Sequence, residues 1–333
     1  MQDASLSQRP KPVQTQQQRD DVGQTLAGED VVTNGKSGDA LISICVPTWR
    51  DSADALLGTL TRMSGADQCT LLIYDDGSHD PALVRQLTRQ IMRFPGPARL
   101  IHAPKNRGRS HARNRLFALA ETEWILFLDA DMQPDDEDFL NRYLDAVDAQ
   151  ADPAVVAGGF SLKHASPTRQ TRLHAAQSLA SECHPAAIRA QSPGRYVFTS
   201  NILVHRTILA EMTFDRGYQG WGWEDVDWGL RVAERFPIFH IDNPATHLGL
   251  DPDAALIDKY RQSVDNFLRL AERHPETISE TPLYRAAKRL SALPGLPKLA
   301  KLCGQIAQTR ILPVRLRVIS LKLFRAALYG ARL

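Results

Sequence analysis

Short apolar runs alternate with amphipathic stretches through the first third of the chain. Leu41-Ile-Ser-Ile-Cys-Val46 reads as a buried strand ended by Pro47, and a helix follows across 52–63 with Asp51 or Ser52 as its cap. Thr70 to Tyr74 gives a second strand that stops at Asp75-Asp76-Gly77-Ser78. A helix from Pro81 to Arg93, a strand from Arg99 to His102 and a helix from Arg107 to Glu121 come next. Trp124-Ile-Leu-Phe-Leu128 is the fourth strand, and it runs straight into Asp129-Ala130-Asp131. This alternation with short connections predicts a parallel sheet wound by helices on both faces. Parallel strands share a direction, so Pro47-Thr48, Asp75-Asp76 and Asp129–Asp131 should open onto one sheet edge. Ligands of open α/β sheets bind just outside that edge.

The second half is less regular. Residues 136–148 read as helix, 155–160 as extended, 168–180 as helix, and Tyr196 to His205 as a strand containing Asn201. Glycines mark a loop at the start of Gly220-Trp-Gly-Trp-Glu-Asp-Val-Asp-Trp-Gly-Leu-Arg231, and Glu224 to Glu234 has helical spacing. A short strand spans Ile238 to Ile241, Pro244-Ala-Thr-His247 follows, and one long helix from Pro252 to His274 closes the globular part. Residues 1–38 are rich in Gln, Asp, Gly, Ser and Thr without apolar periodicity and read as a disordered tail. The expected organisation is a domain over 39–275, with a nucleotide-binding half (39–135) and a catalytic half (136–275), then a helical extension over 276–333.

That extension changes the meaning of the net charge. The whole chain carries only +2, yet Thr281 to Leu333 holds eleven basic residues and no Asp or Glu. The remainder is therefore acidic, and such asymmetry marks a surface for something anionic. Leu, Ile, Val and Phe interleave with Lys and Arg in this segment, broken by Pro313. A basic amphipathic helix of this kind suits a membrane surface, or a place on the enzyme's own acidic remainder. Nucleic acid fits less well, because the stripe is mainly aliphatic rather than interleaved with aromatic stacking residues. No run approaches a membrane span, and the first twenty residues lack the apolar centre of a signal peptide. The four cysteines form no CxxC pair, so a reducing cytoplasm fits best, and Cys45 reads as core filler.

Two carboxylates one residue apart repel unless a cation joins them. Oxygen ligands favour Mg²⁺ or Mn²⁺, which reach protein sites together with substrate phosphates. Each acidic cluster also has a plainer reading. Asp131 precedes a helical stretch and suits a cap, Asp76-Gly77 suits a turn, and Glu224-Asp225 suits a helix start. The segment Lys105-Asn-Arg-Gly-Arg-Ser-His-Ala-Arg-Asn114 opens a helix with several cations, as phosphate recognition requires, and Arg109 and Arg115 read as solvated.

The motifs VPTWRD at 46–51, DDGS at 75–78, NRGRSHARN at 106–114 and FLDADM at 127–132, in this order, resemble family 2 glycosyltransferases of the GT-A fold. The segment from Gly220 to Arg231 resembles the carboxyl-terminal catalytic segment of β-1,4-galactosyltransferases and chondroitin-type polymerases. The resemblance covers roughly residues 41–270. It implies an α/β, Rossmann-like nucleotide-binding fold with a mixed central sheet. It also implies that Asp131 and His247 hold Mn²⁺ or Mg²⁺ on a UDP-sugar diphosphate, with Asp129 on the ribose or the metal. Pro47, Thr48, Asp75, Asp76, Asn106, Gly108, Arg113 and Asn114 would line the nucleotide-sugar site, with Asp76 as the base contact. Asp225 would be the general base of an inverting transfer, and Trp221, Trp223 and Glu224 would meet the acceptor.

The implied reaction moves galactose or N-acetylgalactosamine to a hydroxyl of a glycan or lipid-linked glycan in surface-polysaccharide assembly, at the inner face of the plasma membrane. Two other readings stay open. A sugar nucleotidyltransferase should carry a glycine-rich loop after the first strand, and VPTWRDS has no glycine. A non-catalytic binding protein would have no need of both carboxylate pairs.

Overall fold

The computed structural model describes residues 26–333. The apolar runs become the centre of an eight-stranded sheet. Its strands are β1 (Asp30–Thr33), β2 (Ile42–Thr48), β3 (Cys69–Asp75), β4 (Ala98–His102), β5 (Trp124–Leu128), β7 (Val155–Ala157), β9 (Asn201–His205) and β10 (Ile238–His240). The spatial order is β1-β4-β3-β2-β5-β9-β7-β10, with β4, β3, β2 and β5 parallel and with β1 and β9 antiparallel to their neighbours. From β2 the chain winds outward through β3 and β4, then returns to lay β5 on the other side of β2. That reversal opens a crevice beyond the carboxyl ends of β2 and β5, where Thr48 and Asp129 lie.

Strand alternation explains the two-sided core. Ile42, Ile44, Val46, Leu71, Ile73, Leu126 and Leu128 pack on one face, while Cys45, Leu72, Tyr74, Ile125 and Phe127 pack on the other. Burying each such Leu or Ile stabilises the fold by about 1.5–3 kcal/mol. The first face receives α1 (Asp54–Leu60), α2 (Pro81–Arg93) and α4 (Phe139–Ala149); the second receives α3 (Arg109–Leu119). Helix α2 starts where the sequence predicts, because Asp80 caps Ala82 and Leu83 N–H groups and Pro81 occupies the first turn.

A second sheet carries the crevice wall. It has the order β6-β11-β8, from β6 (Met132–Pro134), β8 (Phe160–Ser161) and β11 (Ala245–His247). The extended stretch expected over 155–160 is thus two strands in two sheets. Gly159, at φ +98, makes the turn between them. The strand expected from Tyr196 begins only at Asn201, after a single helical turn at Pro193–Tyr196.

Structure starts before residue 41. The expected tail over 1–38 lies outside the described residues up to 25, but Asp30–Thr33 forms β1 on the edge of the main sheet. Glu29 just before it enters an ion pair with Arg115 at 2.8 Å, both side chains almost wholly buried. Arg115 is therefore a core partner and not a solvated cation. The polar composition of this stretch hid a strand whose partner edge, β4, supplies the pairing.

The remaining helices are α5 (Arg172–Ser181), α6 (Ala186–Arg189), α7 (Arg206–Glu211), α8 (Glu224–Ala233), α9 (Asp253–Gln262), α10 (Val264–Arg273), α11 (Pro275–Ser279), α12 (Pro282–Ser291), α13 (Leu296–Gln308) and α14 (Val314–Gly330). The long helix expected over 252–274 breaks at Ser263, whose hydroxyl turns to Tyr260 O and Tyr329 Oη. The carboxyl-terminal extension packs on the domain. Leu256, Ile257 and Tyr260 meet Ala300, Cys303, Leu321 and Phe324, while Phe267 and Leu270 meet Ala287 and Tyr329. Buried Asp253 takes ion pairs from Arg310 at 2.8 Å and Arg317 at 2.7 Å. Among the described residues no helix is long and apolar enough to cross a membrane.

Candidate active site

All five residues of β5 are buried, and the strand delivers Asp129 into the crevice with a quarter of its side chain exposed. Arg113, in the second turn of α3 and only 2% exposed, donates from Nη2 to Asp129 Oδ1 at 2.7 Å. Its Nε and Nη1 are buried without a protein acceptor. Asp131 turns elsewhere. The β6–β11 register sets His247 opposite Met132, and Leu248 N–H donates to Asp131 O at 2.9 Å. His247 Nε2 then lies 3.1 Å from Asp131 Oδ2 across a separation of 116 residues. Burial pushes the Asp131 carboxyl up, but the hydrogen bond and charge of His247 outweigh it and leave the group below the usual carboxylate range. The same pairing, against burial, holds the His247 imidazole above its ordinary value.

A carboxylate oxygen beside an imidazole nitrogen is a donor set that suits Mn²⁺. Gly249 keeps the space in front of it open: a Cβ there would lie 2.0 Å from Asp131 Oδ2 and 3.1 Å from His247 Nε2. Among the described residues no group of three or more His, Cys, Asp or Glu stands ready for a metal. Asp129 is turned to Arg113, so the three expected ligands are not gathered around one point. The Asp131–His247 pair fits a divalent cation that also takes oxygens from a diphosphate and water.

The second carboxylate pair opens α8. Trp223 precedes it in the left-handed region, at φ +77, and the acids of the first turn suit the helix dipole. Asp225 Oδ1 accepts from Thr199 Oγ1 at 2.7 Å, and Oδ2 accepts from the Thr199 N–H at 3.2 Å. Glu224 is buried, 3.8 Å from Arg109 Nη1. Burial and the neighbouring Glu224 charge push the Asp225 carboxyl up to about 6, against Arg113 and the Thr199 hydroxyl. Asp129, Asp225 and Glu224 all bear on Arg113, so one acid of the first pair and both acids of the second share one guanidinium, while Asp131 pairs with His247. Asp227 stands apart: Arg231 at 2.9 Å, Arg273 at 3.0 Å and His274 at 3.1 Å enclose it as a structural hub.

On the nucleotide side, Thr48 is buried at the end of β2, its hydroxyl on Asp51 O at 2.7 Å, with Pro47 half-buried beside it. Asp76 accepts from the Arg107 N–H at 3.0 Å and the Gly108 N–H at 2.8 Å, which draws the loop before α3 onto the strand end. Burial raises its carboxyl, with those two N–H groups opposing. Gly108, at φ +89, makes the turn that lets this approach occur, and Asn106 is exposed in the same loop.

Two further expected residues have partners within the protein. Asp75 is fully buried, bound by the Ser78 hydroxyl and, at 2.6 Å, by His102 Nδ1. Asn114 exchanges two hydrogen bonds with the backbone of Phe214, at 2.9 and 3.0 Å. It anchors the loop ahead of Trp221.

The two indoles lie partly against the protein's own aromatic rings. Trp221 meets Tyr260 edge-on at 5.4 Å, and Trp223 lies against Phe267 and Tyr329 with Arg325 over its ring at 5.7 Å. Both are half-buried between the α8 loop and the carboxyl-terminal helices. Sequence reasoning missed Thr199 and Gly249. Only the Thr-Ser step before β9 and a glycine two residues past His247 hinted at them.

The chain matches the family described as glycosyl transferase family 2 over residues 43–211. It belongs to that family. The glycosyltransferase has the GT-A fold, with the mixed sheet and the carboxyl-terminal helices described above. It is similar to the mannosyltransferase PcManGT from Pyrobaculum calidifontis in complex with GDP-Man and Mn²⁺, at 16% identity and a TM-score of 0.55 over 89% of this chain and 88% of that one. It is also similar to S. aureus TarS 1–349, at 15% identity and a TM-score of 0.47 over 87% and 91% of the two chains. No curated protein matches this glycosyltransferase.

Proposed function

We propose that this glycosyltransferase moves galactose or N-acetylgalactosamine from a UDP-sugar to a hydroxyl of a glycan or lipid-linked glycan, with inversion at the anomeric carbon. Asp225 takes the proton of the acceptor hydroxyl while the acceptor oxygen bonds to that carbon. The bond from the carbon to the diphosphate oxygen breaks, and UDP leaves with the electron pair. Arg113 stands beside the leaving diphosphate with two free donors, and Asp129 meets the ribose. Asp131 and His247 would hold Mn²⁺ or Mg²⁺, which when bound neutralises charge gathering on the leaving group. Pro47, Thr48, Asp76, Asn106 and Gly108 frame the nucleotide; Glu224, Trp221 and Trp223 form the acceptor side.

The observation that carries this reading is that Asp129, Glu224 and Asp225 all bear on Arg113, with Asp225 raised to about 6. A buried guanidinium with two unsatisfied donors suits a diphosphate, and a carboxylate poised near 6 suits a general base. The Mn²⁺ in the similar mannosyltransferase complex supports the metal. The product class, surface polysaccharide made at the cytoplasmic face of a membrane, is supported by the basic extension with Leu316, Ile319 and Leu323 exposed next to Arg315 and Lys322.

The test is nucleotide release from a panel of UDP- and GDP-sugars, with and without Mn²⁺, by the native enzyme and by Asp225→Asn. Mn²⁺-dependent UDP release by the native enzyme alone supports the reading. Preferential turnover of GDP-mannose would overturn the UDP assignment, and full activity of Asp225→Asn would overturn the general base.

A further inference from the structure

We infer that four arginines at the junction of the catalytic domain and the carboxyl-terminal helices form a binding site for the phosphate of an anionic phospholipid. The site deepens the membrane-facing part of the reading above and lies outside the sugar-transfer machinery. Arg169 and Arg172, at the start of α5, face Arg310 and Arg317 across a cavity of about 380 Å³, closed by the turn Ile311-Leu-Pro-Val314. Two separate stretches of chain, about 140 residues apart, therefore bring their cations to one hollow. Gln170 O accepts from the Asp253 N–H at 3.0 Å, which ties the 168–171 loop to the start of α9.

The charges do not cancel. Asp253 is the carboxylate at this place, paired with Arg310 and Arg317. It offsets one of the four positive charges, fixes the guanidinium planes of Arg310 and Arg317, and leaves the cavity positive. Arg169 and Arg172 are exposed at its rim. Arginine forks suit phosphate oxygens two at a time. A bare positive cavity of this kind fits a phosphate group better than a carboxylate peptide only if something apolar accompanies it, and the surroundings supply that.

Ile311 is 84% exposed at the lip, an extreme position for an isoleucine, and Leu316, Ile319 and Leu323 are each about half exposed. The three fall at helical spacing on one face of α14, with Arg315 and Lys322 beside them. Apolar side chains next to a phosphate-sized positive hollow match the two layers of a bilayer surface, acyl chain and headgroup. From Thr281 onward the chain has no acidic residue to repel that surface. The inward side of the same helix carries Arg325 and Tyr329 to Trp223, so α14 joins the lipid-facing patch to the acceptor loop.

The test is flotation of the full chain with vesicles of phosphatidylcholine alone or mixed with phosphatidylglycerol. It needs no donor or acceptor, so its failure is distinct from a failure of the sugar-transfer reading. The native chain should float with the mixed vesicles only. Arg169→Glu with Arg172→Glu, both at exposed positions, should weaken that binding on the order of a hundredfold, at about tenfold or less for each surface cation and more on reversal. Ile311→Asp should weaken it with the arginines intact. Unchanged flotation in the arginine double variant, or equal flotation with phosphatidylcholine alone, would overturn the site. Capture of the native chain by an acidic peptide resin with no flotation would assign the patch to a protein partner instead. Thermal unfolding of each variant at the native midpoint separates lost binding from lost fold.

Discussion

Arg113 donates to Asp129 at 2.7 Å with one terminal nitrogen and keeps its other nitrogens without a protein acceptor. A cation this deep is stabilised only by its carboxylates, and it faces three of them. Arg113→Met should destabilise the fold by about 3–5 kcal/mol, the cost of leaving buried charge uncompensated. Arg113→Lys keeps the charge but loses the fork, so the fold should survive while donor KM rises by roughly tenfold or more. Thermal unfolding together with donor titration checks both, and an unchanged KM in the lysine variant would remove Arg113 from the donor site.

Activity should fall as pH drops through about 6, because Asp225 acts as base only when ionised. Glu224 helps hold that value up, so Glu224→Gln should move the acid limb to lower pH. A pH–rate profile of the two enzymes reads the shift, and a move in the opposite direction would reverse the electrostatic assignment. Asp225→Asn should reduce turnover by about a hundred- to ten-thousandfold.

The same residue has a stability signature of opposite sign to its catalytic one. Its folded value lies above the unfolded 3.8, so ionisation opposes folding, and the penalty is absent below about 4 and complete above about 6. Relative to the native chain, Asp225→Asn should therefore gain on the order of 1–3 kcal/mol as pH rises across that window. Urea unfolding of both chains at pH 4 and pH 7 measures it; a difference independent of pH would refute it.

Gly249→Ala should spare the fold and injure metal activation. The added Cβ would push directly on Asp131 Oδ2. The Mn²⁺ concentration for half-maximal activity should rise by about 10- to 100-fold. Alanine behaving as glycine in that titration would detach the Asp131–His247 pair from the metal.

Glu29→Ala should cost about 3–5 kcal/mol, because Arg115 and Tyr74 both turn to that carboxylate inside the fold. A loss below about 1 kcal/mol, the range of a surface ion pair, would make β1 a loose appendage.

The sheet and its acidic strand ends were legible because burial leaves its mark locally. Trp124 to Leu128 is apolar throughout, since both faces are covered, and the acids at its end have no other sequence position from which to meet a ligand. Contacts made by distant chain were not legible. Asp75 and Asp76 look alike in sequence, yet they meet different partners, His102 for one and the Arg107–Gly108 backbone for the other. Asn114 reads as a site residue until Phe214, a hundred residues away, takes both its hydrogen bonds. The strand at Asp30–Thr33 has only Val31 and Val32 as apolar residues, too short a run to stand out from the polar residues before it, and it pairs with the edge of β4. The tryptophans follow the same rule: their covering residues, Tyr260, Phe267 and Tyr329, come from helices that their own segment does not announce.

Trp223 sits at φ +77, a backbone state that a bulky residue adopts at a cost of about 1–3 kcal/mol and keeps only when its surroundings insist. Phe267, Tyr329 and Arg325 supply that insistence. The last helix is thus a latch on the turn that opens α8: Glu224 and Asp225 stand where they do because a segment a hundred residues downstream keeps the turn cocked. Changes along α14 can then retune the acceptor side of this enzyme while the sugar-nucleotide half, built from its own local strands, stays as it is.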